Sequence, residues 1–362
     1  MADPARTTHR DRGGPRELPV AARRHRLVAE VARRFGGCCD VPAGATVVIG
    51  VSGGPDSLAL LLAVAAASRR RGGAAAVAFK PVAVHVNHHV RDAAGADEAL
   101  VVRVCDRYGL DLQVRHVYPL RRSGNLPANA RESRYEALAA SARSVAAECV
   151  AVAHHAEDQL ETMLMALGRG TGLDGLAGMR WSRPLADGIA LVRPLLAVRK
   201  KECEDFCRAA EVAWCDDPTN ADPATVRGRL RRDVLGVFET LWPDAAARAC
   251  GTADVVAAAR AALERELACV FGDPSARQWD RAALGSLPGA VVAAGLRRAA
   301  MNAAPEIADD LGQKVLGAAA DAIADTQRRP RSFDWPGGLR AVVTAREVRL
   351  ECGPHEPTEP TT

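Results

Sequence analysis

The chain has few lysines and no apolar run long enough to span a membrane, and both observations limit the classes of protein to which it can belong. Its lysines are Lys80, Lys200, Lys201 and Lys314, so arginine supplies nearly all of the 48 basic residues. The apolar stretch that follows Ser57 is rich in alanine and too short to cross a bilayer. The arginine-rich N-terminus has no apolar stretch behind its charges, which is not typical of a secretory signal. The sequence therefore predicts a cytoplasmic globular protein without a membrane segment.

Paired cysteine motifs are also missing. The ten cysteines are scattered; Cys38 and Cys39 are adjacent, and Cys203 and Cys207 are too far apart to form a C-x-x-C pair. Zinc and iron–sulfur sites are usually built from closer repeats of that kind. The pattern predicts reduced thiols and neither type of metal site.

A strong net charge is absent as well. The formal charge of +4 is too small to indicate nucleic-acid binding without a local concentration of positive charge. Residues 6 to 34 hold nine arginines against three acids, and four arginines without an intervening acid lie between residues 227 and 232. Both groups are candidate phosphate contacts. The alternative is a general use of arginine in place of lysine.

Strand-like and helix-like segments alternate in the first part of the chain. Apolar runs at 46–51, 82–86, 112–117, 150–153 and 189–193 are separated by helical patterns at 57–70, 97–108, 129–147 and 158–167, after an amphipathic helix near 20–35. This order predicts an α/β fold with a doubly wound parallel sheet, whose ligands bind beyond the carboxyl ends of the strands.

The strand signals stop beyond Asp222 and Pro223. Alanine-rich helical segments broken by proline follow, and then a short terminal β-hairpin within 333–351. The predicted organisation is a disordered tail over 1–20, a catalytic domain over 21–235, a mainly helical domain over 236–352 and a disordered tail over 353–362.

A glycine turn between the first strand and its helix carries the strongest motif. Residues 50–57 read G-V-S-G-G-P-D-S. Gly53 and Gly54 allow backbone N–H groups to surround a polyphosphate at a helix N-terminus. Ser52 and Ser57 supply hydroxyl donors, and Asp56 is suited to hold Mg²⁺. No lysine stands at the Walker A position. An ordinary glycine turn is the simpler alternative.

A second cluster follows the fourth strand. Residues 153–162 read A-H-H-A-E-D-Q-L-E-T, in which Asp158 and Glu161 are three apart and Glu157 and Glu161 are four apart. This spacing places carboxylates on one helical face beside His154 and His155. Stabilisation of the helix N-terminus by these acids, or a zinc site, would explain the same residues.

These motifs resemble a known family. The segment S-G-G-P-D-S is similar to the pyrophosphate loop of the ATP-pyrophosphatase (PP-loop) superfamily, which has a Rossmann-like fold. The second cluster and residues 169–179, R-G-T-G-L-D-G-L-A-G-M, resemble the tRNA(Ile)-lysidine synthetase family. Shorter matching pieces are 85–88 (H-V-N-H), 129–135 (N-A-R-E-S-R-Y), 193–196 (R-P-L-L) and 217–220 (D-P-T-N). The resemblance covers residues 46 to about 235.

The resemblance implies a two-step reaction. ATP adenylates C2 of the wobble cytidine in an isoleucine tRNA with a CAU anticodon, and free L-lysine then displaces AMP; the implied cofactors are ATP and Mg²⁺. The implied ATP-binding residues are Ser52, Gly53, Gly54, Pro55, Asp56, Ser57, His85 and Asn87. Lysine would be bound by Glu157, Asp158 and Glu161, and tRNA by Arg227, Arg229 and Arg231. Catalytic roles fall to Asp56, as the metal ligand, and to Arg131, His155, Asp158 and Glu161.

The chain departs from the family pattern at three positions. The family usually has Asp where this chain has Glu157, Gly where it has His89, and Asn where it has Gly228. Two alternatives stay open at this point: a thiolase-like PP-loop enzyme, which would need cysteines to carry sulfur, and a non-catalytic tRNA-binding protein. The oligomeric state stays open between a monomer and a homodimer.

Overall fold

The computed structural model describes residues 6–7, 14–69, 79–89, 94–118, 126–215, 224–273, 275–305, 311–327 and 329–352. The C-terminal tail, the motif at 217–220 and much of the N-terminal tail lie outside this range. The chain divides into two compact units, Met1–Val256 and Ala257–Thr362. The change of sequence pattern beyond residues 222–223 and the predicted domain boundary at residue 235 both precede this division, and the functional domain assignments stay predictions.

A seven-stranded sheet organises the first unit. Its spatial order is β1-β4-β3-β2-β5-β7-β6. The strands are β1 Arg6–Thr7, β2 Thr46–Gly50, β3 Lys80–Asn87, β4 Asp111–His116, β5 Cys149–Ala151, β6 Ser182–Ala186 and β7 Ile189–Val192. The five central strands pair in parallel, in the order β4, β3, β2, β5 and β7. Strands β1 and β6 pair antiparallel at the two edges. The five predicted strands are confirmed.

Helices cover both faces of this sheet. Successive β-branched side chains in β2 point to opposite faces, so Val47 and Ile49 belong to one core and Val48 to another. The helices are α1 Val20–Arg24, α2 Arg26–Gly36, α3 Pro55–Ser68, α4 Ala94–Tyr108, α5 Leu126–Ser144, α6 Ala156–Gly168, α7 Leu173–Leu176 and α8 Lys200–Ala209. Side chains of α2, α3, α4 and α8 pack in the first core, and Leu138 of α5 packs in the second. The prediction of a doubly wound sheet is confirmed.

Two local features were absent from the sequence prediction. The expected helix near 20–35 is two helices, because His25 is extended and its Nδ1 accepts a hydrogen bond from the Leu27 N–H at 3.2 Å, which starts a new helix. Strand β6 was missed: it is only partly buried and contains Pro184, a residue that sheets accept at their edges.

The described residues from Val226 to Phe271 are mainly helical. Helix α9, Val226–Arg229, leads into a π-helical turn, Leu230–Val234, and then into α10, Leu235–Leu241. Helix α11, Ala245–Phe271, contains the point at which the two units divide. None of the helices that the structure describes is long and apolar enough to span a membrane.

The second unit packs helices on a small antiparallel sheet. Helices α12 Arg281–Gly285, α13 Gly289–Ala303 and α14 Gln313–Ala324 accompany strands β8 Gln278–Asp280, β9 Arg331–Asp334, β10 Leu339–Val343 and β11 Glu347–Cys352. The predicted hairpin is β10–β11, with Val343 opposite Val348. It forms the centre of a four-stranded sheet, because β9 and β8 add to its two sides. The short β8 and β9 were not predicted.

Candidate active site

The glycine-rich turn forms the loop that its sequence predicts. Gly53 has a φ of +92°, a left-handed conformation that side chains disfavour, and α3 begins directly afterwards at Pro55. The Ser52 N–H donates to Ser57 Oγ at 3.1 Å, and the two hydroxyl oxygens lie 3.2 Å apart. The Ser57 hydroxyl also donates to the Gly54 carbonyl at 3.0 Å. The loop is thus held in shape at the positive end of a long buried helix, where a polyphosphate is favoured.

His85 and Asn87 lie on the neighbouring strand β3 and are buried. His85 Nδ1 lies 2.8 Å from the carbonyl oxygen of Val51, the residue just before the loop. The Asn87 side-chain amide donates to Glu98 Oε2 at 2.8 Å. Burial lowers the pKa of His85, so its ring is neutral. In this structure His85 supports the base of the loop and Asn87 binds the start of α4, and the contact of either residue with nucleotide stays a prediction.

His155 connects the loop to the acidic cluster. Its Nε2 lies 3.7 Å from Asp56 Oδ2 and 3.6 Å from Asp158 Oδ2, and its Nδ1 lies 3.0 Å from Glu157 Oε2. Burial alone would lower the pKa of His155, but the three surrounding carboxylates outweigh it and raise the pKa to about 9. The ring is therefore an imidazolium at neutral pH, positioned between the predicted phosphate site and the predicted amine site.

The acidic residues of α6 serve the helix as well as the site. Asp158 Oδ2 accepts a hydrogen bond from the His155 N–H at 3.1 Å, as an acid at a helix start can do. Burial raises the pKa of Asp158, but nearby His155, His154, Arg227 and Arg231 outweigh this effect and lower it to about 2. Asp158 therefore does stabilise the start of α6, as the helix-stabilising alternative states. That alternative does not explain why Asp158 and Glu161 are both buried.

Arg227 and Arg231 bind this acidic pair, which the sequence did not indicate. Arg227 Nε donates to Glu161 Oε2 at 2.5 Å and its Nη2 to Asp158 Oδ1 at 2.8 Å. Arg231 repeats the arrangement, with Nε to Glu161 Oε1 at 2.5 Å and Nη2 to Asp158 Oδ1 at 2.7 Å. Arg229, between them, is exposed. Two groups of residues that the sequence assigned to different ligands therefore contact each other.

Arg131 lies on α5 and is exposed, with its guanidinium 5.2 Å from the ring centre of Tyr135. A more buried arginine, Arg193, lies closer to the histidine pair: its Nε donates to His154 Nδ1 at 3.2 Å and its Nη1 to the Arg180 carbonyl at 2.7 Å. Burial lowers the pKa of His154 to about 3, so this ring is a neutral acceptor. The sequence analysis identified Arg193 only as part of the R-P-L-L segment, and its contact with His154 was not predicted.

Main-chain contacts of two further residues also escaped the sequence analysis. The Lys200 N–H donates to Glu157 Oε2 at 3.0 Å, which ties the start of α8 to the cluster. The Gln159 side chain accepts from the Met179 N–H at 2.7 Å and donates to its carbonyl at 3.1 Å. The second contact fixes the end of the R-G-T-G-L-D-G-L-A-G-M segment against α6. Neither partner is recognisable from local spacing.

The three departures from the family pattern fit the local structure. The longer Glu157 side chain reaches both His155 and the Lys200 N–H. His89 has a φ of +50°, the left-handed region that glycine favours, and its ring lies parallel to that of Tyr118 at a centroid distance of 4.8 Å. Gly228 is buried, and its N–H donates to the Thr225 hydroxyl at 2.9 Å, which caps α9.

The donor set around Asp56 suits a magnesium ion. Asp56 Oδ1 is buried and has no hydrogen-bond partner among the described residues. Over the same residues no group of three histidine, cysteine or acidic side chains is arranged to hold a metal ion. Mg²⁺ commonly uses one or two carboxylates together with phosphate and water oxygens, so the single, partly buried carboxylate of Asp56 beside a phosphate loop fits it.

The sheet, the loop at its carboxyl edge and the neighbouring carboxylates define a nucleotide-binding α/β domain. The chain belongs to the PP-loop domain family, whose model matches residues 27–238.

Curated relatives and a solved structure agree with this placement. A tRNA(Ile)-lysidine synthase of Rhodopseudomonas palustris is 38% identical over 246 residues, which cover 66% of this chain and 66% of that protein. One of Ralstonia nicotianae is 35% identical over 304 residues, covering 82% of this chain and 64% of that protein. The chain thus spans about two thirds of the length of these relatives. The U34-tRNA thiolase NcsA from Methanococcus maripaludis shares the fold, with a TM-score of 0.51 at 17% identity over 69% of this chain and 88% of that one.

Proposed function

We propose that the chain is an ATP-dependent carbon–nitrogen ligase, a tRNA(Ile)-lysidine synthase that acts in the cytoplasm. In the proposed reaction the C2 carbonyl oxygen of the wobble cytidine, in an isoleucine tRNA with a CAU anticodon, takes the adenylyl group of ATP and pyrophosphate leaves. The amine of free L-lysine then attacks C2, loses a proton and displaces AMP to give lysidine. The curated relatives of that name support the proposal.

One observation carries the proposal for this chain: His155 lies between the phosphate loop and the carboxylate cluster. Its Nε2 is within 3.7 Å of both Asp56 and Asp158. A reaction that first uses ATP and then a cationic amine needs these two kinds of site side by side, because the amine must reach the adenylated atom. Holding both reactants in place supplies much of the rate enhancement.

Each group has a defined task in this proposal. Ser52, Ser57 and the loop N–H groups bind the pyrophosphate portion of ATP, and Asp56 holds Mg²⁺, which neutralises phosphate charge. Asp158, Glu161 and Glu157 attract the ammonium groups of lysine. His155 lies between these carboxylates and is assigned to orient or to deprotonate the amine. Arg131 is assigned to supply positive charge to the adenylated intermediate, and the helical 236–352 region is assigned to tRNA.

The test is a reconstituted reaction with purified protein, ATP, Mg²⁺, labelled L-lysine and a transcript of the CAU isoleucine tRNA. The proposal requires pyrophosphate release that depends on both tRNA and lysine, and label transferred to the RNA. RNA-dependent release that ignores lysine would point to another PP-loop tRNA enzyme, such as a thiolase. RNA binding without any release would make the chain a non-catalytic binder.

A further inference from the structure

The acidic pair of α6 is already occupied by charge of the opposite sign. Asp158 and Glu161 each accept hydrogen bonds from both Arg227 and Arg231, at distances of 2.5 to 2.8 Å. These two carboxylates and two guanidinium groups sum to zero, and beside them the His155 imidazolium faces the further carboxylates of Asp56 and Glu157. An ammonium is therefore attracted to the whole cluster, but the oxygens of Asp158 and Glu161 are already bound by the two arginines. A cationic amine can bind there only if one arginine leaves.

Burial decides which partners are able to leave. The carboxylate side chains are almost inaccessible, at 8% exposure for Asp158 and 1% for Glu161. The arginines are partly solvated, at 38% for Arg227 and 26% for Arg231. A buried carboxylate cannot lose its cation without replacement, because an unpaired buried charge is strongly destabilising. The exchange must therefore replace one cation by another while the carboxylates stay in place.

Charge balance limits the exchange to one arginine. If a single ammonium enters and a single guanidinium leaves, the cluster keeps two positive and two negative charges. The more exposed Arg227 lies on the four-residue helix α9, whereas Arg231 lies in the π-helical turn Leu230–Val234. On these two grounds Arg227 is the candidate for the partner that leaves, and Arg231 for the partner that stays.

We infer that Arg227 holds the place of the substrate ammonium, and that an RNA phosphate draws Arg227 away and so opens the acidic pair to lysine. The inference rests on the proposed function. Arginine pairs with phosphate through the same planar fork that it uses on carboxylates. The exposed Arg229 lies two residues further along the chain, so a phosphate that approaches this segment meets two guanidinium groups.

Such an exchange makes RNA and amine reinforce each other's binding. Coupling between two sites is commonly about 5- to 150-fold in affinity and is equal in both directions. RNA should therefore lower the Kd of lysine by a factor in this range, and lysine should lower the Kd of RNA by the same factor. The device would withhold lysine from the site until the RNA to be modified is present.

The test measures binding to the full chain with ATP withheld, so that no turnover occurs. Labelled L-lysine is followed by equilibrium dialysis with and without a hairpin RNA that carries the CAU anticodon loop, and RNA binding is titrated with and without lysine. Wild-type protein should show at least about a 5-fold coupling, of equal size in both titrations. Equal lysine affinity with and without RNA would overturn the inference, and this arm needs no variant.

Two variants should differ in the coupling. In Arg227→Gln the acidic pair keeps one guanidinium and a net negative charge, so lysine should bind tightly without RNA and the coupling should fall to about 1-fold. In Arg231→Gln the pair keeps Arg227, the partner that RNA draws away, so RNA should still change the affinity for lysine. Arg208→Gln is the control, since Arg208 is exposed and pairs with Glu204 and Asp205 on its own helix. Arg227→Gln that retains full coupling, or equal effects in both variants, would contradict the assignment.

Failure of the inference and failure of the proposed function are distinguishable. A chain that forms lysidine but binds lysine independently of RNA keeps the function and loses the exchange. A chain that forms no lysidine and binds no lysine in either condition loses both.

Discussion

Buried charge is stabilised differently in the two compact units. In the first, Asp158 and Glu161 are held by side chains that lie about seventy residues further along the chain, Arg227 and Arg231. In the second, Arg281 is 2% exposed and donates only to main-chain carbonyls in the contacts observed, those of Ala322, Ile323, Thr344 and Asp325. Partly solvated side chains can be exchanged for a ligand, whereas backbone carbonyls at the end of a packed helix cannot. The α6 acidic pair can therefore serve as a binding site, whereas the contacts of Arg281 are structural.

The largest expected effect concerns Asp56 in the first unit. Asp56→Ala removes the carboxylate assigned to Mg²⁺ and should lower the rate of adenylation by about 10² to 10³ or more, because charge stabilisation in the transition state is lost. Lysine-dependent pyrophosphate release is the measurement. Affinity for RNA should stay nearly unchanged, and Asp205→Ala, at an exposed acid on α8, is the control. A comparable loss of RNA affinity would show that the loop and the RNA surface are not separate.

The next effect concerns the acidic pair. Asp158→Asn or Glu161→Gln leaves two guanidinium groups opposite one carboxylate, so the cluster repels an ammonium. Truncating one partner of a buried charge pair costs roughly 2 to 5 kcal/mol, and the KM for lysine should rise by about two orders of magnitude. Glu264→Gln, at an exposed acid paired with Arg298, should leave that KM unchanged. An unchanged KM in the α6 variants would restrict these acids to stabilising the helix.

Arg281 tests the other side of the comparison. Arg281→Met removes the donors of four carbonyls. An unsatisfied buried group costs roughly 1 to 3 kcal/mol, and because the surrounding chain relaxes in part, the free energy of unfolding should fall by about 3 kcal/mol. Denaturant unfolding measures this loss. Arg340→Gln, at an exposed arginine paired with Asp334, should cost less than about 1 kcal/mol. If Arg281→Met changed the KM for lysine in protein that is still folded, the contacts of Arg281 would not be purely structural.

How much the sequence could predict follows from the range of the interactions. The phosphate loop and the parallel strands were predictable, because glycine, serine and β-branched residues act over a few positions. The contact between Asp158 and Arg227 was not, since it depends on how the chain returns to α6 after α8. Strand β6 was missed because its proline and partial exposure hide the alternation that marks a strand.

The assignment of Arg227, Arg229 and Arg231 to RNA shows the same limit. Spacing alone gave the three arginines one role, although two of them bind buried carboxylates and one is exposed. Likewise, adjacent histidines with the same ordinary pKa were indistinguishable until their surroundings were known. His154 faces Arg193, whereas His155 faces three carboxylates.

These two histidines sharpen the comparison within the first unit. The pKa of His155 is raised from 6.5 to about 9, so its contribution to stability is complete below pH 6.5 and is lost as the pH rises towards 9. The pKa of His154 is lowered from 6.5 to about 3, so its contribution is complete above pH 6.5 and is lost as the pH falls towards 3. Each change proceeds at up to about 1.4 kcal/mol per pH unit.

The free energy of unfolding, measured by denaturant at intervals from pH 5 to 9, should therefore pass through a maximum near pH 6.5 if these two groups dominate. His155→Gln should flatten the decline above pH 6.5 and leave the rise below it, whereas His154→Gln should flatten the rise and leave the decline. Because each variant serves as the control for the other, general destabilisation would shift both limbs equally and would not reproduce the pattern. Retention of the alkaline decline in His155→Gln would show that His155 is not the imidazolium that balances Asp56, Glu157 and Asp158.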